Sequence, residues 1–373
     1  MGDHSAVFVG IDVSKSRHSV AIAEEGRDGE VRFYGEIEAD EAAVRKLVRR
    51  LAGRASRLTF CYEAGPTGYG LYRLITALGH ECHVVAPSLV PRKPGERVKT
   101  NRRDATSLAR LLRAGELTSV WTPDERHEAM RDLVRARSSA AIDRRMKRQQ
   151  TSAFLLRLGR SYPGKKTWGR THMKWLAGQT FAHLEQRTAF EELSLAMRQA
   201  EERIARLEKA IEEAVPNWSL AERVSALMAM RGFDLVAATT ILAEIGDLGR
   251  FDSPRELMGW LGLAPAESST GDKVRRFGIT KAGNARARRT MIESAWSYRY
   301  PARVGLSKQP RVAAAPPSVR EIAWKAQTRL TRRYRALSGK GKAKTVVAVA
   351  VARELAGFVW AIDRALETAR AGA

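Results

Sequence analysis

Sulfur, imidazole and aromatic rings are scarce in this chain. Its 373 residues hold 2 cysteines, Cys61 and Cys82, too few for a disulfide framework, and with 7 histidines they fill no zinc site of standard spacing. His80, Cys82 and His83 lie close in sequence, but Cys82 and His83 open a short apolar strand, where packing is the ordinary use of such residues. No apolar run nears the ~20 residues that span a bilayer, and 1–5 is too short and polar to open a secretory leader. The expectation is a cytoplasmic chain without a membrane segment. Acidic charge is short as well: 41 Asp and Glu against 65 Lys and Arg leave a net +24. An excess of that size serves a polyanion, most often nucleic acid. Apolar residues are plentiful at 44%, enough for full cores in two or three domains of about 150 residues.

The run AVFVGIDVSKSRHSVAIA, residues 6–23, organises the reading. Val7, Val9, Ile11 and Val13 alternate with Phe8, Gly10 and Asp12, so both faces are largely apolar, as in a central strand. An ionised carboxylate buried there costs several kcal/mol unless a cation, a metal or strong hydrogen bonds match it. Asp also begins turns, and Ser14-Lys15-Ser16 follows, so Asp12 alone reads equally as turn former or ligand.

Further along, periodicity predicts strands at 18–23 and 31–36, a helix over 41–51, a strand at 58–62 ending on Glu63, a helix over 69–78 and a strand at 83–85. A helix carrying Leu108, Leu111 and Leu112 follows, stopped by Gly115, with Asp104 in its first turn, where the helix dipole alone would favour it. Reactive groups of open α/β sheets gather beyond the carboxyl ends of strands. Asp on strand one, Glu after strand four and Asp on the helix after strand five follow the order of an RNase H-like nuclease fold. Carboxylates in such a site hold divalent ions that activate an oxygen nucleophile, and hard oxygen ligands suit Mg²⁺ or Mn²⁺.

From about Asp124 the pattern turns to long helices. One runs over 125–159 and is rich in arginine. A second, over 181–215, carries a heptad seam of Phe190, Leu193, Met197, Ala200, Ile204, Leu207, Ile211 and Ala214. An antiparallel hairpin or a dimer satisfies that seam equally; a dimer or higher assembly is the expectation. The 227–246 stretch resembles a helix-hairpin-helix around Gly232, although Asp234 where a second glycine belongs favours a plain helical hairpin. Ser268, Ser269, Thr270 and Gly271 then read as a loop beside Lys273, Arg275 and Arg276. A hydroxyl near guanidinium groups suits a nucleophile aimed at phosphate, and the same residues also make an ordinary loop. Candidate nucleic-acid contacts are these three cations, Arg102 and Arg103, Lys281, Arg286, Arg288 and Arg289. Residues 320–344 add Arg332 and Arg333, with Trp324 and Tyr334 interleaved for stacking. A last apolar helix over 345–366 packs back on the body.

Taken together, GIDVSK, YEAGPTGYGLYRLI, VKTNRRDATSLARLL and the later SSTG, GITKAGN and ESAW runs resemble the DEDD-type insertion-sequence transposases. These join a RuvC-like domain to a C-terminal transposase domain and are guided by a bridge RNA from their own element. The resemblance implies an α/β, RNase H-like catalytic domain at 1–123, a long-helix linker or dimerisation region at 124–216 and a helical, serine-bearing domain at 217–373. Asp12, Glu63 and Asp104 match the first, second and last acidic positions. The third falls at Asn101, whose carbonyl can coordinate but brings no charge. The serine nucleophile falls at Ser269, with Ser268 as fallback, and the partners implied are DNA, the guide RNA and further copies of the chain. Open alternatives are a metal-dependent junction-resolving nuclease without a covalent intermediate, an actin-like phosphotransferase, and a non-enzymatic RNA-binding protein.

Overall fold

The computed structural model describes residues 6–91, 100–270 and 273–371; the side chains of Thr270, Lys273, Val274 and Arg276 lie outside that description. Two compact units divide the chain, Met1–Thr122 and Pro123–Ala373. The long helices expected at 124–216 fall within the second.

In the first unit, β1 (Ala6–Asp12), β2 (Arg17–Glu24), β3 (Val31–Glu38), β4 (Arg57–Glu63) and β5 (Glu81–Val85) form one sheet in the order β3-β2-β1-β4-β5. β2 runs antiparallel to β1 and β3, while β4 is parallel to β1 and β5. β1 is therefore central, which is why its apolar residues populate both faces. One face meets α1 (Glu41–Ala52) and α2 (Gly70–Ala77): Val9 and Ile11 join Val44, Leu47, Ile75 and their neighbours in one core. Val44, Leu47, Val48 and Leu51 repeat at helical spacing, and burying each contributes roughly 1.5–3 kcal/mol before entropy is counted. Asp40 caps α1 by accepting from the Ala43 N–H at 2.7 Å.

The other face carries α3 (Asn101–Arg113), whose Ala105 and Ala109 pack on Ala21 and Ala23. Gly10 makes that approach close. A Cβ there would lie 2.3 Å from the Ala109 nitrogen and 2.5 Å from the Ala105 carbonyl oxygen, both backbone atoms. Only a residue without a side chain lets the helix settle this near the strand.

The second unit opens with α4 (Glu125–Arg157), α5 (Arg170–Ala177) and α6 (Leu184–Ala214). α4 and α6 lie antiparallel, as the successive pairs Arg137–Glu208, Arg203–Asp143 and Arg148–Glu201 require. The heptad seam is thereby filled within the chain: Phe190 packs with Leu155, and Ile211 joins Met130 and Val134. The pattern was sound, but hydrophobic spacing is blind to which chain supplies the partner.

α7 (Ala221–Met228) and α8 (Leu235–Ile245) form the helical hairpin, with Asp234 capping α8 through the Ala237 N–H. α9 (Pro254–Trp260) follows, capped by Ser253. Then come β6 (Pro265–Thr270) and β7 (Lys273–Ile279), an antiparallel ribbon. α10 (Ala285–Ala295), α11 (Gln309–Ala314), α12 (Pro317–Gly339) and α13 (Lys344–Ala371) complete the unit. α13 is long and apolar enough to cross a membrane by length and composition, contrary to the sequence reading. Its Val347, Val351, Leu355, Val359 and Ile362 are buried in the core of this unit. Arg353 and Glu354 break the apolar run in the sequence, while the helix averages apolar over its length.

Candidate functional site

Asp12 and Glu63 are the last residues of β1 and β4. The parallel register pairs Ile11 with Tyr62, so one step further Asp12 stands level with Glu63. Alternation along a strand puts Asp12 on the face of Phe8 and Gly10, and Glu63 on the face of Cys61. That face is α3's, because Gly10 abuts Ala105 and Ala109, and the Cys61 Sγ contacts the Leu108 carbonyl at 3.6 Å.

The direction of α3 brings in the third carboxylate. At its C-terminal end Arg113 donates to the Glu24 carbonyl at 3.1 Å, and Glu24 pairs with Val7 near the start of β1. The helix thus runs opposite to β1, and its first turn lies toward the strand's carboxyl end. Asp104 sits there, with Thr100 capping through the Arg103 N–H. Asp12, Glu63 and Asp104 are half-buried and Asn101 is exposed. Asp12 as turn former and Asp12 as ligand are compatible, since it closes β1 just before the 13–16 turn. The Arg102 guanidinium covers the Phe33 ring at 5.3 Å.

Half-buried carboxylate oxygens at one end of one face are donors of the kind a hard divalent cation takes, but they are not drawn together around one point. Among the described residues, no three His, Cys, Asp or Glu side chains converge into a group that could hold a metal ion. The cysteines offer no competing chemistry. Burial drives the Cys61 thiol far up and pushes Cys82 up to about 12, which leaves neither a thiolate at neutral pH.

Ser268 and Ser269 lie on β6 rather than in a loop. The ribbon pairs Ser268 with Arg275 and Ser269 with Val274, so the two hydroxyls belong to opposite faces. Ser269 Oγ donates to Glu267 Oε1 at 2.9 Å. Both serines and Arg275 are exposed. The alternation was missed because β6 is polar on both faces, which removes the contrast that marks a strand.

The proposed nucleic-acid cations have different fates. Lys273 and Arg276 have side chains outside the described residues. Arg102, Arg103, Lys281, Arg286 and Arg332 are exposed. Arg289 pairs with Glu293 and Arg333 with Glu354. Arg288 donates from one guanidinium nitrogen to the Leu261 and Ala282 carbonyls at 3.0 and 2.7 Å and so pins its own loop. Trp324 is exposed as expected, but Tyr334 is 6% exposed and belongs to the core, where the period of α12 points it.

Sequence reading missed a further, buried carboxylate. Glu244, on apolar α8, is 2% exposed and takes both forks of Arg135 at 2.8 Å, while Asn284 Nδ2 donates to it at 2.7 Å. Burial raises its pKa, but the bonds from Arg135 and Asn284 outweigh that and hold it below the usual value. A lone charge in LVAATTILAEI was the available signal, the same kind that marked Asp12. Nearby, Lys308 Nζ donates to the carbonyls of Met228, Met230 and Phe233 at 2.6, 2.5 and 2.7 Å and so closes the α7–α8 turn.

The sheet order and the carboxylate pair are those of an RNase H-like first unit, followed along the chain by a helical second one. Residues 9–159 match the model of the DEDD transposase domain, described simply as a transposase, and 224–304 match that of the IS116/IS110/IS902 transposase family. Over 364 residues the chain is 58% identical to y4qE of Sinorhizobium fredii, which carries a transposase name, spanning 98% of this chain and 90% of that one. The transposase for insertion sequence element IS1533 of Leptospira borgpetersenii is 31% identical over 340 residues, 90% of this chain and 98% of its own length. A family 20 transposase name attaches to a Pseudomonas aeruginosa relative, 26% identical over 77% of this chain and 82% of its own length. The chain belongs to the IS110/IS116 family of insertion-sequence transposases.

Proposed function

We propose that this transposase is an RNA-guided recombinase that cuts and rejoins DNA strands through a serine–DNA intermediate. The observation that carries the reading is the pairing of Asp12 with Glu63 at the ends of adjacent parallel strands, on the face covered by α3. Asp12, Glu63 and Asp104, with the Asn101 carbonyl, would hold Mg²⁺ or Mn²⁺, which when bound stabilises charge on the phosphate and leaving oxygen. Asn101 supplies no charge, so the set favours one principal ion over two.

Ser269 Oγ attacks the phosphorus of a DNA phosphodiester. An O–P bond forms, the bond to the leaving deoxyribose oxygen breaks, and the serine proton passes toward Glu267, to which Ser269 already donates. Rejoining reverses the exchange with a new strand end. A bridge RNA of the element would choose the target by base pairing, with the protein acting as a dimer or tetramer.

The test is strand exchange on cognate donor and target DNA with the guide RNA and Mg²⁺. Exchange should vanish in Asp12→Ala and in Ser269→Ala, and the wild type should leave a protein–DNA adduct on denaturing gels. Full exchange in a Ser268→Ala, Ser269→Ala double variant overturns the serine assignment. Free 5′-phosphate ends without an adduct would favour a metal-dependent junction-resolving nuclease instead.

A further inference from the structure

The second unit holds a cleft of about 580 Å³ built by three helices distant in sequence. Val134, Ser138, Ala141 and Arg145 line it from α4, at successive turns of one face. Val236, Ala237, Thr240 and Glu244 do so from α8, and Arg286, Thr290 and Ser294 from α10. Aliphatic side chains and small hydroxyls share the lining with five arginines and the carboxylates of Asp234, Glu244 and Glu293.

The lining carries unspent charge. Arg135 is committed to Glu244, Arg137 to Glu208 and Arg289 to Glu293. Arg145 and Arg286 are exposed and have no ion-pair partner among the described residues. A second, independent sign is a buried hydroxyl. Ser294 is 4% exposed, lines the cleft, and its Oγ makes no hydrogen bond although it is buried. Buried hydroxyls are nearly always satisfied, so an unmet one at the base of an open cleft marks a place where a ligand atom completes the set. The Gly232 backbone closes the same corner: a Cβ there would lie 2.4 Å from the Ser294 carbonyl oxygen, so the turn and the helix meet without a side chain between them.

We propose that this cleft receives one unstacked nucleotide of a single-stranded nucleic-acid segment, with the base against the aliphatic side chains and the flanking phosphates on Arg145 and Arg286. The inference rests on the reading of the protein as a nucleic-acid recombinase and adds a subsite to it. A duplex does not suit the cleft, because its paired and stacked bases present no free face to the lining, whereas single strands offer splayed bases that seat against apolar and guanidinium surfaces.

Fluorescence anisotropy with full-length protein tests this, using single-stranded DNA and RNA oligonucleotides and a duplex of the same sequence. Ala237→Trp and, separately, Ser138→Trp fill the slot from two different helices, and thermal melts confirm that each variant remains folded. Both should weaken single-strand binding about tenfold, the loss of one seated base, and leave the duplex unchanged. Arg286→Ala should flatten the salt dependence of single-strand binding by about 0.7 in log–log slope, one phosphate contact. Photo-crosslinking from a 4-thiouridine or 4-thiothymidine strand should map to the α4 or α8 residues of the lining; which strand crosslinks tells RNA from DNA. Unchanged single-strand affinity in both folded tryptophan variants overturns the inference, as does equal loss for the duplex. Retained slot binding in a protein that fails strand exchange would refute the recombinase reading and leave the subsite standing.

Discussion

Single residues decide two features of this protein, and one of them has no side chain. Gly10 sets how near α3 lies to β1, since any Cβ would meet backbone atoms at 2.3 and 2.5 Å. Gly10→Ala is therefore expected to push the helix outward and lower the stability of the first unit by about 1–3 kcal/mol, read as a shift in urea midpoint. Strand exchange should fall more than stability does, because Asp104 moves with α3 while Asp12 and Glu63 stay on the sheet. Glu244 is the second case. Arg135→Ala should cost about 3 kcal/mol, since it strands a buried carboxylate, whereas Glu244→Ala should cost less because the Arg135 side chain is 41% exposed and can turn to water. The sign of the pH effect follows from a depressed carboxylate. Its contribution is complete above the ordinary pKa of 4.5 and is lost as pH falls through the lowered folded value. The stability gap between wild type and Glu244→Gln should thus be constant near neutrality and close in acid, as urea midpoints below pH 4.5 will show. Asp12 stood out in the sequence because the strand period announces where a charge is out of place, whereas Glu63 and Asp104 were picked by their order along the chain, at a strand's end and in a helix's first turn. Glu244 gave the same signal in α8, but its partners lie more than a hundred residues before and forty after it, and no local pattern joins Arg135 to Asn284.

At the scale of elements, most of the first unit could be read directly. Its strands alternate or run apolar, and its turns are marked by glycine. α5 escaped because an eight-residue helix rich in Trp, His and Met, set in a break, has too few turns to show a period. The α4–α6 seam was recognised and its partner was not. The difference is measurable. Met197→Ala, at a site 2% exposed, should cost about 2–5 kcal/mol and leave the oligomeric state seen by size-exclusion chromatography unchanged, as it would not if the seam joined two chains. The serine ribbon is the converse case. Its two hydroxyls lie on opposite faces of β6, so under the proposed mechanism the choice between Ser268 and Ser269 would be a choice of which face of the ribbon meets DNA. Arg275 shares the face of Ser268, and Glu267 that of Ser269.

For the molecule as a whole, charge outweighs every other property in setting how it meets a partner. A net +24 makes association with nucleic acid fast and strongly dependent on salt. If about six phosphates are contacted, affinity for a DNA duplex should fall roughly a thousandfold between 50 and 200 mM salt, a slope that filter binding or anisotropy can measure. Much of the basic charge is already spent inside the protein: on carboxylates at Arg135, Arg137 and Arg148, and on carbonyls at Arg231 and Arg288. Composition could announce a polyanion partner but could not say which cations remain to meet it. Lys308 is the furthest removed of these. With three carbonyls around its ammonium, it does for the α7–α8 turn what a bound potassium ion does elsewhere, yet it is tethered by its own chain and cannot be exchanged. A protein that releases a cloud of counterions each time it engages nucleic acid thus keeps one cation that no change in the surrounding salt can dilute away.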